Sequence, residues 1–85
     1  MSLYHFHLHE CGKVSLDEEG HEVASIEQAR EEAIRAARGI MCSEVASGHL
    51  CLACYILIEN DQQDEVLRVQ FKDAISLSGL GDLNS

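Results

Sequence analysis

The chain has 85 residues, of which 46% are hydrophobic and 25% are charged, and its formal net charge is −9. This length predicts a single domain, residues 1–85, and the hydrophobic fraction is too high for a disordered chain. Only six Lys and Arg residues stand against 15 Asp and Glu residues, so the chain lacks the basic patch that nucleic acids and anionic membranes require. We therefore expect neither as a partner.

The cellular compartment follows from two further features of the sequence. No apolar run approaches the roughly 18 residues of a membrane span, and residues 1–10 do not have the pattern of a secretory signal. We therefore predict a cytoplasmic protein. In that compartment the four cysteines, Cys11, Cys42, Cys51 and Cys54, do not form a disulfide framework.

The chain begins with a predicted hairpin. Residues 3–9 alternate strictly between two faces, the period-2 pattern of a half-buried strand. One face carries Tyr4, Phe6 and Leu8, and the other carries His5, His7 and His9. A turn at 10–13 leads to a short second strand at 14–16. A polar turn at 17–20 follows, and residues 21–24 lead into a helix cap.

Residues 25–46 are predicted to form the one long helix. Ser25 is a good N-cap, and Gln28 stands at the capping-box position three residues later. Apolar residues fall in one stripe of the helix and charged residues on the opposite side, the pattern of a helix with one buried face. Glu44 returns to the apolar stripe, so we expect the packed part to end near 42–43, with Gly48 as the stop.

A second hairpin follows the helix. The apolar run 51–59 is rich in strand-forming residues and predicts the third strand, and 60–64 predicts a turn. Residues 66–71 alternate as a fourth strand, and 72–77 are either one helical turn or an extension of that strand. With 3–77 as the ordered core, residues 78–85 are predicted to be a flexible tail.

The order β-β-α-β-β predicts an α+β domain: a two-layer, four-stranded, mostly antiparallel sheet with one long helix on one face. The inner sheet face is predicted to contain Tyr4, Phe6, Leu8, Cys54, Ile56, Ile58, Leu67, Val69 and Phe71. The opposite face is predicted to contain His5, His7, His9, Tyr55, Leu57, Arg68 and Gln70. A single helix covers only one face, and the other is less polar than a free surface, so it is a candidate interface.

Several segments together resemble a family of short, uncharacterised bacterial proteins, a domain of unknown function of alphaproteobacterial type. They are YHFHL at 4–8, DEEG at 17–20, SIEQAREEAIRAA at 25–37 and VLRVQFKDAISL at 66–77. The resemblance covers nearly the whole chain and implies the same order of elements, but no catalytic or binding residue. Where that family often has Gly in the last hairpin turn, this chain has Gln63 or Asp64.

A shorter stretch is similar to HicB-type antitoxin domains. These also place an acidic turn with Gly before a capped helix of the form E-E-A-x-x-x-A, which here is Glu31-Glu32-Ala33 followed by Ala37. The similarity spans about 20 residues and is also explained by ordinary helix-start chemistry. It implies an antitoxin-like partner of a small toxin as one alternative function.

The histidine strand is the sharpest candidate site for chemistry. Side chains two residues apart on one strand face lie about 6.8 Å apart, so His7 with His5 or His9 can share a divalent metal. All three cannot readily bind one ion, because His5 and His9 are about 13 Å apart along the strand. A site would therefore use one adjacent pair with Cys11, His49 or a carboxylate. The alternative is that the three histidines lie on a solvent or dimer face.

The cysteines and acids give weaker signals. In a strand, Cys51 and Cys54 point to opposite faces, so we interpret them as small buried hydrophobic residues whose sulfurs converge only if residues 49–54 form a turn. The acidic residues at 17–22 have no EF-hand spacing and are interpreted as a solvated turn. No nucleophile elbow or phosphate-binding glycine loop is present.

These observations favour a small, non-enzymatic cytoplasmic interaction module that associates with itself as a homodimer or larger assembly, with another protein as a further candidate partner. The predicted interface residues are His5, His7, Tyr55 and Leu57. The first alternative is a metal-binding or metal-sensing domain that uses His5, His7 and His9, and the second is the antitoxin-like partner. No cofactor is expected apart from such a divalent metal.

Overall fold

A computed structural model of the chain describes residues 2–79. The elements are β1 (Ser2–Glu10), β2 (Lys13–Ser15), β3 (His21–Val23), α1 (Ile26–Ala46), β4 (Tyr55–Asn60), β5 (Glu65–Gln70) and α2 (Phe71–Ala74). The predicted α+β class is confirmed, with one antiparallel sheet packed on one long helix. Neither helix in these residues has the length and apolarity that crossing a bilayer requires. Most of the predicted tail, from residue 80 onward, lies outside the described residues.

The sheet has the strand order β2-β1-β4-β5, and β3 pairs with the first residues of β1. The sequence predicted four strands, so the fifth strand, β3, is a correction. Residues 21–24 were expected only to lead into the helix cap. Because β3 has three residues and two of them are polar and exposed, it is too short to display the alternation that identifies a strand.

Helix α1 matches its predicted bounds and cap. The Ser25 hydroxyl accepts a hydrogen bond from the Gln28 backbone N–H at 3.1 Å, and the Gln28 side chain accepts one from the Ala24 N–H at 2.8 Å. The buried residues recur every four positions and are Ala29, Ala33, Ala37 and Met41. Three alanines in this row let the helix axis lie close to the sheet, because their side chains are small.

The inner face of the sheet forms the core with α1, as predicted. All nine predicted inner residues are buried or pack against the buried cluster. Phe71 is fully buried but belongs to α2 and not to the fourth strand, and its N–H donates to the carbonyl of Cys54 at 2.9 Å. Arg38 joins the two helices, because its Nε–H donates to the carbonyl oxygen of Ala74 at 2.7 Å.

The segment before β4 differs from the prediction. The third strand was predicted at 51–59, but β4 begins at Tyr55, and residues 49–54 form a bend between α1 and the sheet. Leu50, Cys51 and Leu52 pack against the edge of the core. The first residues of the apolar run are apolar because this bend covers one end of the core. Apolar content alone cannot distinguish such a bend from a buried strand.

Candidate functional site

The sheet face opposite the helices, here called the outer face, carries the seven side chains predicted for it. They are His5, His7, His9, Tyr55, Leu57, Arg68 and Gln70. The strand register places them together, because residues directly opposite each other in an antiparallel pair share a face. His7 lies opposite Leu57, and Leu57 lies opposite Arg68. Both helices pack on the inner side, so neither helix of residues 2–79 covers this surface.

Planar groups stack across the outer face. The rings of His9 and Tyr55 are 4.5 Å apart and nearly parallel, and the Arg68 guanidinium lies 4.4 Å from the centre of the Tyr55 ring. The rings of His5 and His7 are 6.1 Å apart and inclined by 13°. The close contacts are those at Tyr55, whose ring stacks on His9 and has the Arg68 guanidinium over it.

Asp17 attaches the loop between β2 and β3 to the middle of β1, between the residues that pair with β3 and those that pair with β2. Its carboxylate accepts hydrogen bonds from the N–H groups of Phe6 and Gly20, both at 3.1 Å. Partial burial alone would raise the pKa of Asp17, but these two bonds, with the nearby rings of His21 and His5, outweigh burial and lower it. The loop passes so close to β1 that a Cβ on Gly20 would lie 3.0 Å from Leu3 Cδ1.

His7 is fixed by hydrogen bonds at both ring nitrogens. Its Nδ1 accepts from the Asp17 N–H at 3.1 Å, and its Nε2 bonds the Glu59 carboxylate at 2.9 Å. Because Nδ1 is an acceptor, we assign the proton of the neutral ring to Nε2, which therefore donates to Glu59. His5 is also engaged, since its Nδ1–H donates to the Asp17 carbonyl at 2.7 Å.

These bonds bear on the prediction that His5, His7 and His9 bind a metal. A metal at His7 would have to displace either Asp17 or Glu59, because both ring nitrogens are already hydrogen-bonded. Among the described residues, the side chains that converge with metal-ligand spacing are cysteines and not these histidines. The histidine site stays a prediction that would require breaking bonds in the fold.

Exposed hydrophobic side chains continue the outer face beyond its predicted members. Val14 lies opposite His9 and is 52% exposed, and Leu16 is 65% exposed. Leu16 borders a shallow hollow of about 270 Å³, which is also lined by His5, His7 and Glu59. The predicted interface residues thus belong to a larger, partly apolar surface that sequence alternation did not delimit.

Cys51 and Cys54 are brought together, which is the arrangement that the sequence allowed only if residues 49–54 turn. The strand begins after them, and the bend at 49–54 points both sulfurs to the same place. Cys11, in the turn between β1 and β2, joins them, and the three Sγ atoms lie within 4.8 Å of one another. Cys42 is exposed on α1 and lies outside this group, here called the cysteine cluster.

The three thiols of the cysteine cluster have different acidities. Hydrogen bonds from the Cys11 and Cys54 thiols and from the backbone N–H groups of Ala53 and Cys54 lower the pKa of Cys51. Burial, followed by the bond it donates to Cys51, raises the pKa of Cys54 to about 12. The bond donated to Cys51 also raises the pKa of Cys11. Cys51 is therefore the sulfur most ready to carry a negative charge.

Comparison with known proteins gives a family and no assigned activity. A family model described as a domain of unknown function, DUF6894, matches residues 3–72. Among curated proteins and among solved structures, the comparisons found no match to this chain.

Proposed function

We propose that this chain, which belongs to the DUF6894 family of domains of unknown function, is a small, non-enzymatic cytoplasmic module that pairs with a second copy of itself through the outer face. The observation that carries the proposal is that both helices pack on one side of the sheet, while the other side presents Leu57, Tyr55 and the exposed Val14 and Leu16. An apolar surface of this kind on a small domain is typical of an interaction site.

Small size supports self-association. A domain of this length buries only about 60% of the surface of its unfolded chain, so a second layer of protein adds stability that one core cannot supply. Two outer faces can stack about 10 Å apart as in a β-sandwich. A two-fold axis makes the contact self-complementary, so one surface serves both partners.

Charge also favours a second copy on this face. The net charge of −9 opposes association in general. The outer face, however, combines Arg68 and three imidazoles with the carboxylates of Glu59 and Glu65, and Glu65 already bonds Arg68 at 3.3 Å. The helix presents the acidic Glu27, Glu31 and Glu32 on the opposite side of the domain. Pairing through the outer faces keeps these helices far apart.

Sedimentation equilibrium from micromolar to millimolar protein tests the proposal. We expect a mass of twice the 9.4 kDa chain. We expect Leu16→Asp to weaken the dimer at least tenfold, about 1.4 kcal/mol, because it would bury an unpaired charge in the contact. Leu16 is mostly exposed, so the substitution leaves the fold intact.

Val45→Asp is the matched control, because Val45 is 59% exposed on α1, away from the outer face. It should dimerise like the wild type. A wild-type monomer at millimolar concentration would refute the proposal, and so would a Val45→Asp variant that dissociates while Leu16→Asp does not.

A further inference from the structure

We propose that Cys11, Cys51 and Cys54 bind one divalent metal ion of the thiolate-preferring class, with zinc as the physiological ion. The site is distinct from the outer face and uses none of its residues, so this proposal and the dimer proposal stand or fall independently. A reducing cytoplasm, where we place the protein, keeps the three thiols available as ligands.

The geometry of the cluster is close to that of a bound site. The three sulfurs lie within 4.8 Å of one another. Zinc–sulfur bonds of about 2.3 Å in a tetrahedral site put neighbouring sulfurs about 3.8 Å apart. An inward movement of about 1 Å or less therefore converts the cluster into three corners of a tetrahedron. Rotation of the exposed Cys11 side chain can supply most of it.

The three ligands come from parts of the chain that only the fold brings together. Cys11 belongs to the turn after β1, whereas Cys51 and Cys54 precede β4, some 40 residues later. The Cys54 carbonyl also accepts the N–H of Phe71 at the start of α2. A metal here would fasten the β1–β2 turn to the segment that links α1 to the sheet. Such a cross-link stabilises the folded chain, because the unfolded chain does not hold the ligands together.

Hydrogen bonding within the cluster suits metal exchange. Hydrogen bonding by the Cys11 and Cys54 thiols, through their S–H protons, lowers the pKa of Cys51. A divalent ion can take the place of these protons: each thiol that becomes a ligand releases its proton to water, and its sulfur donates a lone pair to the ion. The backbone N–H groups of Ala53 and Cys54 continue to stabilise the charge on Cys51.

Glu44 gives a second, independent indication of a cation. One of its carboxylate oxygens, Oε1, is buried without a hydrogen-bond partner in the described residues. The Glu44 carboxylate also helps to raise the pKa of Cys11, after the bond to Cys51 and burial. An unpaired buried carboxylate oxygen is costly. A positive ion held by the three sulfurs would offset that cost through its charge.

Cobalt titration of the reduced, full-length chain tests the site. Co²⁺ is the probe, because its thiolate charge-transfer and visible absorption bands report sulfur ligands in tetrahedral geometry. We expect saturation at one equivalent and displacement of the cobalt bands by added Zn²⁺. A tight zinc complex should also raise the melting temperature by about 15 °C when free zinc is 100 times its dissociation constant.

Two cysteine variants make the test specific. Cys11→Ser changes an exposed turn residue, so the fold should survive while cobalt affinity falls at least 100-fold. Cys42→Ser removes an equally exposed cysteine outside the cluster and should bind cobalt like the wild type. The site is refuted if the reduced chain shows no thiolate charge-transfer band. It is also refuted if Cys11→Ser binds as tightly as Cys42→Ser.

The part assigned to Glu44 has its own readout. We expect Glu44→Gln to weaken cobalt binding about tenfold, as loss of a supporting group at a metal site does. Unchanged affinity and an unchanged visible spectrum in this variant would remove Glu44 from the site, whatever the result for Cys11→Ser.

Discussion

Histidine and cysteine are both common metal ligands, but the histidine strand and the cysteine cluster differ in what their side chains already bond. On the outer face, both ring nitrogens of His7 are occupied by Asp17 and Glu59, so the histidines hold a loop and a strand in place. In the cluster, three sulfurs converge, and within residues 2–79 the groups that hydrogen-bond to Cys51 are the other two thiols and backbone N–H groups. Residue type therefore indicates which side chains can bind an ion. The hydrogen bonds that each side chain already makes indicate how much free energy a metal must spend to displace them.

The largest effect on stability is expected from removing the His7 side chain. His7→Ala should lower the free energy of unfolding by about 2 kcal/mol, because it leaves Glu59 and the Asp17 N–H without a half-buried partner. It should leave cobalt affinity unchanged. Chemical denaturation and cobalt titration of the same preparation measure both quantities.

Cys11→Ser should show the reverse pattern, with a change below about 0.5 kcal/mol in the metal-free chain and a loss of cobalt binding. If instead His7→Ala abolished cobalt binding at unchanged stability, the histidines would be the metal site and the contrast between the two regions would be wrong.

A smaller effect is expected at Asp17, which joins the outer-face histidines to the loop. Asp17→Asn should cost about 1–2 kcal/mol at pH 7, because the amide cannot accept both backbone bonds as a carboxylate does. The pKa of Asp17 is lowered in the folded chain. Its stabilisation is therefore present above the ordinary pKa of aspartate, about 3.9, and is lost as the pH falls through the lower folded-state value.

Urea unfolding of the wild type and of Asp17→Asn between pH 7 and pH 2 tests this linkage. The difference between the two proteins should shrink below pH 4. A difference that stays constant down to pH 2 would mean that the carboxylate charge is not what holds the loop.

The smallest effect is expected in the β4–β5 turn, where Gln63 borders the outer-face hollow. Gln63 has φ +68°, a left-handed conformation that glycine adopts without strain. Gln63→Gly should therefore raise the free energy of unfolding by about 0.5–1 kcal/mol, with dimer mass and cobalt affinity unchanged. Thermal unfolding measures it, and a lower melting temperature would show that the Gln63 side chain makes a contact worth more than the strain.

Much of the fold could be predicted because two segments carry strong periodic patterns. The alternation of β1 and the apolar stripe of α1 predicted the sheet, the helix and the faces of each that pack together, including Ala33 and Ala37. Strand β3 could not be predicted, because its pairing with the first residues of β1 depends on the Asp17 loop bringing it back to that edge. Three residues do not contain a period.

The two candidate sites differ in how far the sequence indicates them. The outer face follows from strand alternation, so its seven residues were predicted. The cysteine cluster forms because β4 begins only at Tyr55, after both cysteines. The apolar run 51–59 was predicted as one strand, so the bend at 49–54 was not predicted. One signal was present: Glu44 returns to the apolar side of α1, and an acid in that position indicates a buried site for a charge.

X-ray absorption at the zinc edge, on the reduced full-length chain loaded with one equivalent of zinc, tests most directly which region binds the metal. We predict three sulfur neighbours at about 2.3 Å from the zinc, with the fourth neighbour an oxygen, and the same spectrum for His7→Ala. Nitrogen neighbours at about 2.0–2.1 Å, with the multiple-scattering pattern of imidazole and no sulfur, would contradict this prediction and show that histidines bind the zinc.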